Sequence, residues 1–329
     1  MSEDLIGVLR ITPEPYTYFT DLEVHHRLTS QPLHYYRFVW RALAGAAAGD
    51  ISFILPPKQI FDDQDGNGDF RVMPCVTRLD NKVTKTIKIV GTNTRQVLIP
   101  DQITVGKAFV VDPAENFISH IFEACLLSSA RTGICAALAV DLLGGHARKI
   151  TILGAGRVGY YSAFYICSVF GIDQVLFYDP VAGKAEKCAI ALNRQLNAPV
   201  CRAVSAPFQE DPDIIILATT SSSVICGPFD CKASLVISLG ADCDSQHELD
   251  PVWAEHADFF VDTMDSLRFG DLKLWLRQGR IQQKGVTDLL SLIRMGKDGL
   301  TPNRYVFIST GSALFDNLTI AYILQQTQR

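Results

Sequence analysis

Apolar and polar positions follow one rhythm in the first third of the chain and another in the rest. Residues 83–91 (VTKTIKIVG) alternate cleanly, the period of a strand with one covered face, and residues 107–112 (KAFVVD) do the same. The polar stretch at 62–69 (DDQDGNGD) separates two apolar stretches, and PAEN reads as a turn. Thr132, Ala136, Ala137, Val140 and Leu143 then recur at helical spacing. They predict a long helix that begins in the 128–132 region and stops at Gly144-Gly145.

Beyond that stop, continuous apolar runs alternate with amphipathic ones. KITILGAG, DQVLFYDP, DIIILATT and ASLVISLGA read as buried strands, and RVGYYSAFYICSVFG and EKCAIALNRQL as helices between them. Strands that are apolar on both faces and separated by helices imply a parallel sheet covered on both sides. The tail adds a strand (RYVFISTG) and a helix (SALFDNLTIAYILQQ). The expected fold is α/β: a Rossmann-type doubly wound parallel sheet over residues 129–304, and an α+β domain over residues 1–128 to which 305–329 return.

The chain of 329 residues suits two domains, and its 48% hydrophobic and 20% charged content is ordinary for a globular protein. A formal net charge of −5 argues against non-specific nucleic-acid binding. The longest apolar run, near 135–143, is interrupted by Asp141, so no membrane span is expected. The acidic start (Met1, Ser2, Glu3, Asp4) lacks the basic region of a signal peptide, and the cytosol is the expected compartment. Nine cysteines without a CxxC pair read as free thiols, and seven histidines without ligand spacing give no metal site.

Gly154-Ala155-Gly156-Arg157-Val158-Gly159 is a GxGxxG motif. It follows a strand and opens a helix, the context in which glycines let backbone approach a pyrophosphate at a helix N-terminus. Asp179 lies 20 residues after Gly159, at the end of the next strand, where a carboxylate accepts from ribose hydroxyls and repels a 2′-phosphate. NAD(H) is therefore the expected cofactor, ahead of NADP(H). It is also expected ahead of FAD, whose folds often begin with this fingerprint.

Three cations outside the motif are candidates for holding a small anionic substrate: Lys58 after Pro56-Pro57, Lys88 in TIKIVG, and Arg131 at the start of RTGICAALAV. Lys88 faces away from Ile87 and Ile89, either to solvent or to a cleft. Arg131 at a helix N-terminus runs against the dipole preference and calls for an anion, from a ligand or from Glu123 or Asp112. Asp242 follows a predicted strand at the edge where α/β sheets bind ligands. It is either a general acid/base or a loop aspartate capping the helix that HELDPVW starts.

Taken together, these segments resemble the ornithine cyclodeaminase/mu-crystallin family from about Pro56 to the C-terminus. MPCV and the strand carrying Lys88, EACLLSSARTGICAALAVDLL, LGADCDSQHEL and STGSALFDNLTIAYIL are similar to family segments in content and order. The resemblance implies a Rossmann domain plus a substrate and dimerisation domain built from both chain ends. It implies that Lys88 binds the substrate carboxylate and helps polarise the reacting centre as a catalytic residue, that Arg131 bridges substrate carboxylate and cofactor, that Asp242 is the acid/base, that Thr132, Thr219 and Thr220 line the cofactor, and that Ser309 and Gly311 lie near the nicotinamide. Family members commonly carry an arginine where this chain has Lys58. Lysine keeps the charge without the bidentate fork, which argues against ornithine itself as substrate. The expectation is an NAD-dependent homodimeric amino-acid dehydrogenase or imine reductase acting on a C–N bond, with a fainter similarity to members of siderophore or secondary metabolism. A cyclodeaminase and a mu-crystallin-like NAD(P)H binder are the alternatives.

Overall fold

The computed structural model describes residues 8–10, 12–62, 68–93, 98–99, 102, 104–243 and 245–327. Residues 63–67 of the turn-rich stretch, the acidic start and Asp244 lie outside them.

Two sheets organise the chain. The first contains β1 (Thr17–Phe19), β2 (Ser52–Ile54), β3 (Gln59–Asp62), β4 (Gly68–Leu79), β5 (Lys82–Asn93), β6 (Thr104–Val111) and β7 (Ile118–Glu123). Its order is β1-β7-β6-β5-β4-β2, with β3 also on β4; β1 runs parallel to β7 and the other pairs are antiparallel. The second contains β8 (Lys149–Leu153), β9 (Gln174–Tyr178), β10 (Cys201–Ala203), β11 (Ile214–Leu217), β12 (Leu235–Ser238), β13 (Asp258–Val261), β14 (Val286–Asp288) and β15 (Tyr305–Ile308). Its order is β10-β9-β8-β11-β12-β15-β13-β14 and every pair is parallel. The strand order reverses between β8 and β11, which opens the ligand crevice of a doubly wound sheet there.

Eight α-helices cover the sheets among the described residues: α1 (Asp21–Thr29), α2 (Pro32–Ala48), α3 (Ala124–Leu143), α4 (Arg157–Val169), α5 (Lys184–Leu196), α6 (Gly270–Arg277), α7 (Leu289–Met295) and α8 (Ala313–Thr327). A capping box starts α1: Thr20 accepts from the Glu23 N–H while the Glu23 carboxylate accepts from the Thr20 N–H. Helix α8 docks on the first sheet through Asn317, whose amide donates to the carbonyls of Cys75 and Thr84 and to Thr86 Oγ1, and accepts from Thr77 Oγ1. Asn317 is fully buried, so these bonds satisfy an amide that would otherwise be costly there.

Four expectations need correction. The return to the first domain begins with α8 and not at 305: β15 is inserted between β12 and β13, because YVFI is apolar on both faces and fits only a covered parallel position. The proposed division at 128/129 falls inside α3. That helix starts at Ala124 because Ala124, Cys125 and Leu127 of its first turn are already buried, so Arg131 sits about two turns inside it. Finally, α3 is long and apolar enough to cross a bilayer by length and composition, contrary to the reading of its sequence. It is instead a core helix, with 83% of its most apolar window buried.

Helix α3 packs against α4 closely enough to need Gly133. A Cβ at that position would lie 2.6 Å from the Tyr161 carbonyl carbon and 2.7 Å from Tyr161 Cβ. Backbone on one side leaves no flexible group to move. Gly133→Ala should therefore destabilise the fold by about 1–3 kcal/mol; chemical denaturation would show it as a lower midpoint, and an unchanged midpoint would mean the helices can separate freely.

Candidate functional site

A cleft of about 2050 Å³ runs along the carboxyl edge of the parallel sheet and continues onto the first sheet. At one end lies the glycine-rich turn. Gly154 has φ +101°, and a Cβ there would meet the Ala218 carbonyl oxygen at 2.3 Å. A Cβ on Gly159 would lie 2.1 Å from the Gly154 oxygen, so the helix can pack on the turn only with glycine here. Gly156 is different: no atom lies within 4 Å of where its Cβ would be. That space faces the uncapped N-terminus of α4, where Arg157 and Val158 line the cleft. An open cradle at a helix N-terminus that no side chain caps fits a dinucleotide pyrophosphate. Asp179 closes the turn by accepting from the Ala155 N–H (2.9 Å).

Thr132, Thr219, Thr220, Ser309 and Gly311 all line the same cleft. Two buried carboxylates hold the loops that carry three of them. Glu248 accepts from Thr219 N–H and Oγ1 with one oxygen, and from Ser238 Oγ and the Gly240 N–H with the other. Asp262 accepts from Ser309 Oγ and the Gly311 N–H. Neither carboxylate was singled out from the sequence, where each is one acid among many.

At the other end, Asp242 lines the cleft with its carboxylate 2.6 Å from Arg71 Nη1. It does not cap a helix: the short 3-10 turn Pro251–Glu255 is capped by Asp250. Desolvation works against ionising Asp242, but Arg71 and Lys58 outweigh it and hold the carboxyl below its ordinary value. Arg71 in turn is gripped on its other edge by Asp69, at 2.8 and 3.1 Å. Sequence reasoning missed both. The signal was there in GDFRVM, where Asp69 and Arg71 are two apart on a strand and share a face.

Lys88 does not face solvent. It is 1% exposed, and its ammonium lies 2.7 Å from Asp316 Oδ2 and 3.0 Å from Ser128 Oγ. Arg131 finds its anion in the same residue, with Nε 3.0 Å from Asp316 Oδ1, and not in Glu123 or Asp112. Lys58 is also buried, donating to the Thr310 carbonyl (2.8 Å) with its ammonium 4.1 Å from the centre of the Phe269 ring. The three cations thus gather on residues 310–316. Only Arg131 of the three lines the cleft; the two lysines lie behind its wall. Burial pulls Lys88 down to about 7, against the pull of Asp316, and Lys58 to about 8.

Two outcomes follow from this buried cluster. Asp316→Asn removes the shared anion from two buried cations and should cost about 3 kcal/mol of stability, measurable by denaturant unfolding. Between about pH 7 and the unfolded lysine value near 10.4, the unfolded chain keeps a proton that folded Lys88 has released, so rising pH favours the folded state. The stability of the wild type relative to Lys88→Met should therefore rise from about pH 7 to about pH 9, by up to about 1.4 kcal/mol per unit. A flat difference would mean that Lys88 stays charged throughout.

The fold has close counterparts among solved structures. It resembles the Δ1-pyrroline-2-carboxylate reductase of Thermococcus litoralis, solved with NADH and L-proline, at 19% identity and a TM-score of 0.83, over 94% of this chain and 97% of that one. An archaeal alanine dehydrogenase dimer with bound NAD matches at 19% identity and 0.81, over 95% and 96% of the two chains. The iminosuccinate reductase of Paracoccus denitrificans, in complex with NAD+, matches at 17% and 0.79, over 96% and 97%. Residues 19–328 match the description of one family, and the chain belongs to it: the ornithine cyclodeaminase/mu-crystallin family.

Proposed function

We propose that the chain is an NAD(H)-dependent oxidoreductase acting on the Cα–N bond of a small amino or imino acid, as an amino-acid dehydrogenase or imine reductase. The observation that carries this reading is Asp242, paired with Arg71 on the same cleft as the glycine-rich cradle. Similarity to two reductases and a dehydrogenase, all solved with NAD or NADH, supports it. The bound nicotinamide supplies the hydride chemistry, at the substrate Cα.

The residues divide the remaining work. Asp242, ionised by its cationic neighbours, takes the proton from the substrate ammonium, so that the nitrogen lone pair is free to form the C=N bond. Arg71 fixes the direction of that carboxylate. Arg131 reaches the cleft while Asp316 holds its Nε, and it receives the substrate carboxylate with its remaining donors. Below their lowered values, near 8 and near 7, Lys58 and Lys88 act from behind the wall as positive charge that favours an anionic acid. Asp69, Asp242 and Asp316 already neutralise part of the cationic cluster, so a single substrate carboxylate is favoured over a more highly charged acid. Nine free cysteines suit a reducing compartment such as the cytosol.

The working unit is a homodimer in this reading. Among the described residues, helices cover one face of the first sheet and leave the other open. On the other, Phe61 and Phe70 stack at 4.8 Å and are 45% and 49% exposed, with Ile89 40% exposed beside the half-buried Val72 and Ile87. A contiguous apolar face of this kind fits a second copy of the chain. Phe70→Glu should convert a dimer to a monomer in sedimentation analysis; a wild type that sediments as a monomer refutes the dimer.

Absorbance at 340 nm during incubation with amino acids and NAD+, or with 2-oxo acids, ammonium and NADH, tests the reaction. Net change supports a dehydrogenase or reductase. Ammonia release without net change would make the chain a cyclodeaminase, and cofactor binding without turnover on any acid would make it a binder. Asp242→Asn should lower turnover about a hundredfold with little effect on cofactor affinity. Removing the Arg71 charge raises the Asp242 carboxyl, so Arg71→Met should move the acidic limb of kcat/KM to higher pH; an unmoved limb would assign that limb to another group.

A further inference from the structure

A carboxylate at the end of the second strand of a dinucleotide fold, taken alone, excludes a 2′-phosphate. Asp179 is not alone. Lys184, the first residue of α5, sets its ammonium 3.2 Å from Asp179 Oδ2. The same carboxylate also accepts from the Ala155 N–H on Oδ2 and from the Val181 N–H on Oδ1. The Asp179 side chain is 4% exposed and that of Lys184 is 47% exposed. The acid is therefore recessed beneath three donors, and the cation stands over it in solvent. Lys187, about one turn further along α5, lines the cleft too, whereas Glu186 lies outside the lining. At this corner Lys184 faces Asp179, and Lys187 adds a second positive charge to the lining of the same cleft.

We propose that Lys184 makes this corner a 2′-phosphate subsite, so that the cleft takes NADPH as well as NADH. The proposal rests on the dinucleotide reading of the glycine-rich turn. A ribose whose hydroxyls reach the Asp179 carboxylate brings its 2′ position close to an ammonium 3.2 Å from that same carboxylate. A phosphomonoester carries a charge of about −1.5 to −2 at neutral pH. Its attraction to the Lys184 ammonium, with Lys187 adding charge along the same cleft, outweighs its repulsion from one carboxylate that already accepts from three donors. The 2′-hydroxyl of NADH is uncharged and gains much less from Lys184, so the residue acts on the choice between the two cofactors.

Nicotinamide fluorescence, titrated with NADH and with NADPH on the chain and two variants, tests this. The two wild-type dissociation constants should agree within about tenfold. Lys184→Glu should raise the ratio of the NADPH constant to the NADH constant about a hundredfold, with Lys184→Ala between the two. A wild-type preference for NADH above a hundredfold, or a ratio that Lys184→Glu leaves unmoved, overturns the subsite while NADH binding keeps the dinucleotide site intact. Binding of neither cofactor overturns both.

Discussion

One buried carboxylate joins the two halves of the molecule. Asp316 arrives on α8, after the chain has completed the parallel sheet, and meets Lys88 from β5 and Arg131 from α3. Each partner comes from a different element, and a site this dry holds the Asp316 carboxylate only against Arg131 and Lys88. A lone ammonium or guanidinium there would face a desolvation penalty of several kcal/mol, and so would a lone carboxylate. The return of α8 is therefore more than apolar packing. It sets Arg131 at the cleft wall and, through Thr310 and Gly311 just before the helix, brings the end of β15 against Lys58 and Arg131.

The parallel-sheet domain was legible because its strands are covered on both faces. Continuous apolar runs such as IIIL and LVIS have no other comfortable position, and the glycine-rich turn marks the direction of the first crossover. Strand order was less legible. Nothing local to YVFI says that it inserts between β12 and β13, because that choice depends on which slot the intervening sixty or so residues leave open. The first fifty residues carried a usable signal that was not read: Thr20 and Glu23 form the capping box of α1. Helix α2 has Pro32 in its first turn and Gly49 just past its end, both ordinary boundary marks.

In the site, alternation gave the right face for Lys88 and the wrong environment. Period two says that Lys88 lies opposite Ile87 and Ile89. Which face of the sheet is covered depends on α3 and α8, which lie far away in sequence. Here the helices cover the lysine face, and the isoleucine face is the open one. The same logic explains Arg131. Its expected clash with a helix dipole disappears because the helix begins earlier, but the requirement for an anion survives and is met by Asp316. Arg71 was missed because its importance lies in cross-domain geometry: Asp242 sits 171 positions away, in the loop that follows β12 of the other sheet.

Both ends of the cleft use cations held on carboxylates, and burial decides what such a pair can do. Lys88 and Asp316 are each 2% exposed in their side chains. A pair that dry cannot exchange partners without a large penalty, so it fixes geometry and tunes its neighbours. Arg71 is equally dry, yet its partner Asp242 is 39% exposed toward the cleft. One member is anchored and the other presented, which suits a carboxylate that must change protonation while keeping its direction. Lys184 over Asp179 is the inverse, with the acid anchored and the cation presented. An exposed ammonium can turn from its carboxylate to an arriving anion, because the Ala155 and Val181 N–H groups still donate to Asp179 when it leaves. The three pairs therefore differ in which partner water reaches, and in the roles proposed for them that difference, more than the residue types, separates a structural charge from a reactive one and from a selective one.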